Sequence, residues 1–227
     1  MVNGKLTSIL IWVSNLFFSP KKILVGGFLL VSIVIISTVI IINQQNRRQG
    51  ILEHSRHVKE EQIISSLKDG DVICRLGDKF WSGFFKKLSP TEKRFSHLGI
   101  VRIRENNISV IHAEGLTDED NVKEVSLSDF LKIALSIGVF RAQNIEGANI
   151  SDIAFEYKGR PFDWSFDMAE ADRLYCTELL YVILQRLDPT IELNTVWIKE
   201  MGKFILPVDI VSQSEHFVEI GSWKGLP

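Results

Sequence analysis

The chain has 227 residues, with 26 basic and 28 acidic side chains and a net charge of −2. That length suits one ordinary domain plus accessory segments. The mildly acidic balance excludes a nucleic-acid binder of the usual basic kind, and two cysteines exclude a disulfide framework.

Residues 1–22 form an apolar, interfacial segment in which Leu6 to Phe18 (LTSILIWVSNLFF) is too short to span a bilayer. Ile23 to Ile42 then reads ILVGGFLLVSIVIISTVIII, without a charge or a polar stripe. About 20 apolar residues cross a hydrocarbon core as a helix, so residues 23–42 are expected to be one transmembrane helix. A cleaved signal peptide is the rival reading, but its apolar run is shorter and no A-x-A-like site follows Ile42. Lys21 and Lys22 before the run balance Arg47 and Arg48 after it, so charge does not fix the orientation. The expectation is a single-pass membrane protein with the bilayer as one partner.

Residues 43–67 read as a polar stalk ending in a short helix, Val58 to Leu67. A domain follows over 68–220, and 221–227 is a tail. Residues 43–227 carry 23 basic and 28 acidic side chains, a charge of −5. Lys68-Asp69-Gly70-Asp71 is a turn, and Val72 to Leu76 is a strand. Phe80 to Phe85 is an aromatic loop or short helix. Trp81, Phe84 and Phe85, with Lys86 and Lys87, suit a substrate rim or a membrane-touching loop, or an ordinary half-buried loop. Ser96 to Arg104 and Ile108 to Ala113 are strands around an Asn-rich turn, a hairpin signal. A helix is expected over Leu127 to Ile137, capped by Ser126 or Ser128, then a strand over Gly138 to Arg141. Ile150 to Tyr157 and Tyr175 to Leu187 read as helices, with late strand or loop pieces at Phe204 to Pro207 and Phe217 to Ile220. The class is α+β, a small antiparallel sheet packed with helices.

Cys176 opens the last long helix and shares a stripe with Leu180, Ile183 and Leu187. A buried free cysteine is usually a small hydrophobe, and Cys74, mid-strand, reads that way. At a helix N-terminus, however, free N–H groups stabilise thiolate and lower the thiol pKa. Such a nucleophile needs a base and a group that orients the base. The hairpin supplies both. A two-residue loop at Glu105-Asn106 pairs Arg104 with Asn107, which places His97, His112 and Glu114 on one face. Gly99 is expected to leave room there for the helix end. His54 and His57 read as solvated stalk residues, and His216 lies in a polar loop. No P-loop, H-E-x-x-H or nucleotide fingerprint is present.

The elements SHLGIV (96–101), VIHAEG (110–115), KGRPFDWSFD (158–167) and LYCTELLY (174–181) follow one another in the order of the YiiX/YaeF-like circularly permuted papain-like amidases, relatives of NlpC-type cell-wall peptidases. The resemblance spans roughly Lys68 to Ile220, including Gly70-Asp71 and Leu206-Pro207-Val208-Asp209. It implies a permuted papain-like fold and a cysteine hydrolase that needs neither metal nor cofactor. Cys176 would be nucleophile, His97 base, and His112 or Glu114 the third polar group. Glu178, Tyr175 and Asp163 match further family positions, and Glu178 suits either a helix cap or a substrate contact. The implied substrate is a cell-envelope peptide or a lipid acyl group, the latter through acyltransferase and thioesterase relatives, with the domain outside the cytoplasm. A catalytically silent, membrane-tethered binding module is the alternative.

Overall fold

The computed structural model describes residues 35–47, 59–115, 119–169, 172–199 and 201–225, apart from the Trp81 side chain. The chain divides into two units, Met1–His54 and Ser55–Pro227. In the first, residues 35–47 form helix α1. The expected segment 1–22 and the first part of the expected span, 23–34, lie outside the described residues. Helix α1 corrects the remainder. Its 13 residues cover about 20 Å at ~1.5 Å each, and from Asn43 to Arg47 they are polar. Among the described residues no helix is long and apolar enough to cross a membrane. This contradicts the transmembrane helix and the single-pass localisation expected from the sequence.

The second unit is built on a six-stranded antiparallel sheet in the order β4-β3-β2-β1-β5-β8. Its strands are β1 (Val72–Gly77), β2 (His97–Arg104), β3 (Asn107–Glu114), β4 (Asn121–Ser126), β5 (Ala134–Ala142) and β8 (Phe217–Lys224). Strands β6 (Val196–Ile198) and β7 (Lys203–Ile205) form a separate pair. The helices are α2 (59–66), α3 (Phe80–Leu88), α4 (Leu127–Leu131), α5 (Gly147–Glu156), α6 (Cys176–Leu187) and α7 (Ile210–Gln213). The antiparallel α+β architecture expected from the sequence is present.

Strand alternation gives the sheet two buried faces. Val72, Cys74, Leu98, Ile100, Ile111 and Ala113 pack with Leu179, Leu180, Ile183 and Leu184 of α6. Ile73, Val101, Val110, Ile137 and Val139 pack with Phe130 of α4 and Ile63 of α2. Helix α2, within the expected stalk, is thus held in the domain core. The hairpin turns as its sequence demands: Arg104 pairs with Asn107 across a two-residue loop, with Glu105 left-handed at φ 55°.

Two elements differ from the sequence reading. The helix expected over Leu127–Ile137 stops at Leu131, where the Lys132 N–H bonds Ser128 O. Pairing of β5 with both β1 and β8 recruits Ala134 to Ile137 into the sheet, and tertiary pairing overrides local helix preference. Strands β4 and β6 were not foreseen. β4 (NVKEVS) has only two apolar residues, and β6 (VWI) is only three residues long.

Candidate active site

A cleft of about 340 Å³ lies over the ends of β1, β2 and β3, with Cys176, His97, Glu114 and Arg75 among its lining residues. Each reaches it by a different route. Helix α6 starts at Cys176 because Tyr175 is extended (ψ 173°) and Glu178 Oε2 accepts the Tyr175 N–H at 3.3 Å, the reach-back half of a capping box. The residues beside the cysteine fix its surroundings. Thr177 Oγ1 donates to Leu206 O at 2.7 Å, and Tyr175 Oη accepts from Leu206 N at 3.0 Å. Both backbone groups of Leu206 are so tied to the helix start, which makes the 206–208 segment a cleft wall.

His97, His112 and Glu114 project from the face that carries Phe130, as their strand parity requires, whereas α6 covers the other face. His97 and Glu114 share the lining of one cleft with Cys176, and no hydrogen bond joins His97 to Cys176 among the described residues. The backbone N–H groups of Leu98, on the peptide joining His97 to Leu98, and of Thr177 and Cys176 lie close to the Cys176 sulfur. These three favour thiolate, but burial outweighs them and pushes the Cys176 thiol up to about 11. The lowered thiol pKa expected from the helix terminus alone is corrected accordingly: desolvation of the charged form wins.

His97 Nε2 and His112 Nδ1 are 2.8 Å apart. His97 Nδ1 has no hydrogen-bond partner among the described residues. Both rings pack on Phe130, at centroid distances of 6.0 and 5.4 Å. Burial, then the Arg75 charge, holds both imidazoles well below their ordinary pKa. The resting site therefore pairs a neutral thiol with neutral imidazoles. Tautomers follow from chemistry. A base that accepts at Nδ1 must carry its proton on Nε2 and donate it to His112 Nδ1. His112 then bears its proton on Nε2, a buried atom with no partner among the described residues.

Gly99 serves this dyad, though not as expected. A Cβ there would lie 2.5 Å from Val110 Cγ1 and 3.1 Å from His112 Cβ. The missing side chain makes room for His112 and not for the helix end.

The other candidate residues take different places. Glu114 does not orient His97; its Oε1 accepts from Arg75 Nη2 at 2.6 Å, and Lys123 lies 3.6 Å from its Oε2. Asp163 is fully buried, and its carboxylate accepts from Ser165 N, Ser165 Oγ and Asp167 N at 2.7 Å each. It shapes the loop that presents Trp164 and Phe166 to the cleft. Glu178 is buried in its capping role. Tyr175 lines the cleft. Cys74 is fully buried, as expected. Arg75, lining the cleft and buried, was missed by the sequence reading. A single arginine within VICRL carries no signal of its own, because its partners lie 39 and 55 positions away.

His97, His112 and Glu114 place donor atoms within 4.8 Å of one another, the metal-like cluster among the described residues. Two nitrogens on a tetrahedral zinc at ~2.0–2.1 Å stand about 3.3 Å apart; here they stand at the hydrogen-bond distance of 2.8 Å. Two cations, Arg75 and Lys123, already hold the carboxylate. The three side chains as arranged do not fit a metal ion.

A cysteine at a helix N-terminus, following histidine strands in the chain, is the arrangement of a papain-like cysteine hydrolase in permuted order. The chain belongs to the YaeF/YiiX family of permuted papain-like amidase enzymes, whose match covers residues 66–217. Among solved structures it is similar to one described as metalloprotein yiiX from Escherichia coli O157:H7, at 18% identity and a TM-score of 0.59. That match covers 70% of this chain and 99% of the other, and it shows the fold alone. No curated protein sequence matches.

Proposed function

We propose that the protein hydrolyses the amide or ester bond of a substrate with an apolar acyl group, with Cys176 as nucleophile, His97 as base and His112 orienting the base. The observation that carries this reading is the cleft. One cavity is lined by Cys176 and His97 and also by Phe85, Phe162, Trp164, Phe166, Tyr175 and Leu206. Such walls gain free energy from an acyl chain, at about 0.8 kcal/mol per buried CH₂, and offer little to the polar backbone of a peptide.

The thiol proton moves to His97 Nδ1 as sulfur attacks the carbonyl carbon. The resulting imidazolium is steered by Nε2–H donation to His112 and then protonates the leaving amine or alcohol. The amides of Cys176 and Leu98, adjoining the sulfur, are the donors available to the oxyanion. Water, deprotonated by His97, releases the acid from the thioester. The structural relative is described as a metalloprotein, but no step here passes through a metal, because the three donors do not fit one.

The test is hydrolysis by the full-length chain of p-nitrophenyl esters from acetyl to dodecanoyl, beside amide and cell-wall peptide substrates. kcat/KM should climb with chain length until the cleft is filled. A flat series, or faster turnover of the peptides, would overturn the apolar-acyl reading.

A further inference from the structure

Arg75 is a buried cation that the mechanism above does not use. Its side chain is 6% exposed and lies on the Phe130 face, opposite His97 in the sheet register. Three contacts fix the guanidinium: Nη1 donates to Phe130 O at 3.0 Å, Nη2 to Glu114 Oε1 at 2.6 Å, and the plane lies 4.3 Å above the Phe130 ring. Glu114 is held from its other oxygen side by Lys123. A buried charge clamped in this way costs desolvation, and this one lines the cleft with the nucleophile.

We propose that Arg75 is a positioning residue of the active site: clamped by Glu114 and Phe130, it supplies the fixed positive charge that stabilises the Cys176 sulfur as it loses its proton. Glu114 accordingly holds Arg75 and not the base. The charges and titratable groups around the sulfur support this. Cys74 and Arg75 of β1 and Tyr175 at the start of its own helix interact with it electrostatically, and His97 of β2 and Glu114 of β3 line the same cleft. Arg75 is the cation that lowers the Cys176 pKa against burial, and, second to burial, the same charge favours the neutral forms of His97 and His112.

The inference rests on Cys176 as nucleophile, yet its test reads the thiol and not turnover, so the two can fail separately. Iodoacetamide alkylation of Cys176 in the full-length chain is followed by peptide mass spectrometry from pH 7 to 9. Buried Cys74 serves as the folding control. In Arg75→Met/Glu114→Gln, which leaves no unpaired carboxylate, Cys176 should react about tenfold more slowly at each pH, as for a rise of ~1 unit. Arg75→Lys, which keeps the charge, should stay within about twofold of the wild type, because a retained charge holds the shift well under one unit. An unchanged rate in the double variant with Cys74 protected would overturn the proposal. If the double variant exposes Cys74, Arg75→Lys decides: a tenfold loss there, with Cys74 protected, overturns it, and a retained rate upholds it.

Discussion

His97 and Cys176 line one cleft without a hydrogen bond between them, and burial disfavours the charged form of each, which separates two ways of running a thiol hydrolase. A preformed ion pair would react with small alkylating agents at low pH. The thiol here, on a half-buried residue and pushed up by desolvation to about 11, is expected to gain alkylation rate about tenfold per pH unit between pH 6 and 9 without a low-pH plateau. His97→Ala should barely change that profile, yet lower hydrolysis by roughly 10²–10⁴-fold, since the imidazole is needed only as the proton moves. A plateau below pH 7 that vanishes in His97→Ala would favour the ion pair. His112→Ala should cost about 10²-fold in kcat through misorientation of the base. Stability carries a second signature. Both imidazoles have folded pKa values depressed below the unfolded ~6.5. Below pH 6.5 the unfolded chain therefore binds more protons, and stability falls as pH falls. Each histidine contributes at most about 1.4 kcal/mol per pH unit. Denaturant midpoints at pH 7 and 5 should show this loss, and His112→Gln should reduce it to about half.

At the scale of elements, the β2–β3 hairpin organises the site, and Gly99 is its tightest point. Gly99→Ala puts a methyl 2.5 Å from Val110 Cγ1 and against His112. Overpacking of this kind costs about 1–3 kcal/mol, and the displaced His112 should lower kcat more than it raises KM. A variant with wild-type melting and turnover would contradict that packing. The hairpin was legible in the sequence because a two-residue loop fixes strand parity: once Arg104 faces Asn107, His97, His112 and Glu114 must share a face. The start of α6 was legible for a similar reason, Tyr175 and Glu178 bracketing Cys176 at capping distance. What stayed hidden depends on distant partners. Strand β5 begins four residues early because β1 and β8 claim it. Glu114 turns from His97 to Arg75 because β1 lies beside β2. The thiol pKa rises because segments distant in the chain close over the helix end, and no local pattern records that.

At the scale of the molecule, the permuted order is read from the chain and borne out by the family match over residues 66–217. The apolar run before the domain does not translate into a membrane-crossing helix among the described residues. A uniform apolar composition sets a span's possible length, not where a helix begins and ends. The misfit of the His97, His112 and Glu114 donors to a metal has a direct consequence for the whole enzyme. Prolonged chelation should leave its hydrolytic rate unchanged, and added zinc should not raise it. Loss of activity on chelation with recovery on metal addition would contradict the arrangement described.

The central claim is that Cys176 carries the acyl group between attack and release. The most direct measurement is intact-protein and peptide mass spectrometry of the full-length chain quenched in acid during turnover of a dodecanoyl p-nitrophenyl ester. The account predicts one added acyl group, on the peptide containing Cys176 and labile to hydroxylamine. It should be absent in Cys176→Ala, and in His97→Ala it should form slowly. An adduct on Cys74 or elsewhere, or undiminished hydrolysis by Cys176→Ala, would contradict it.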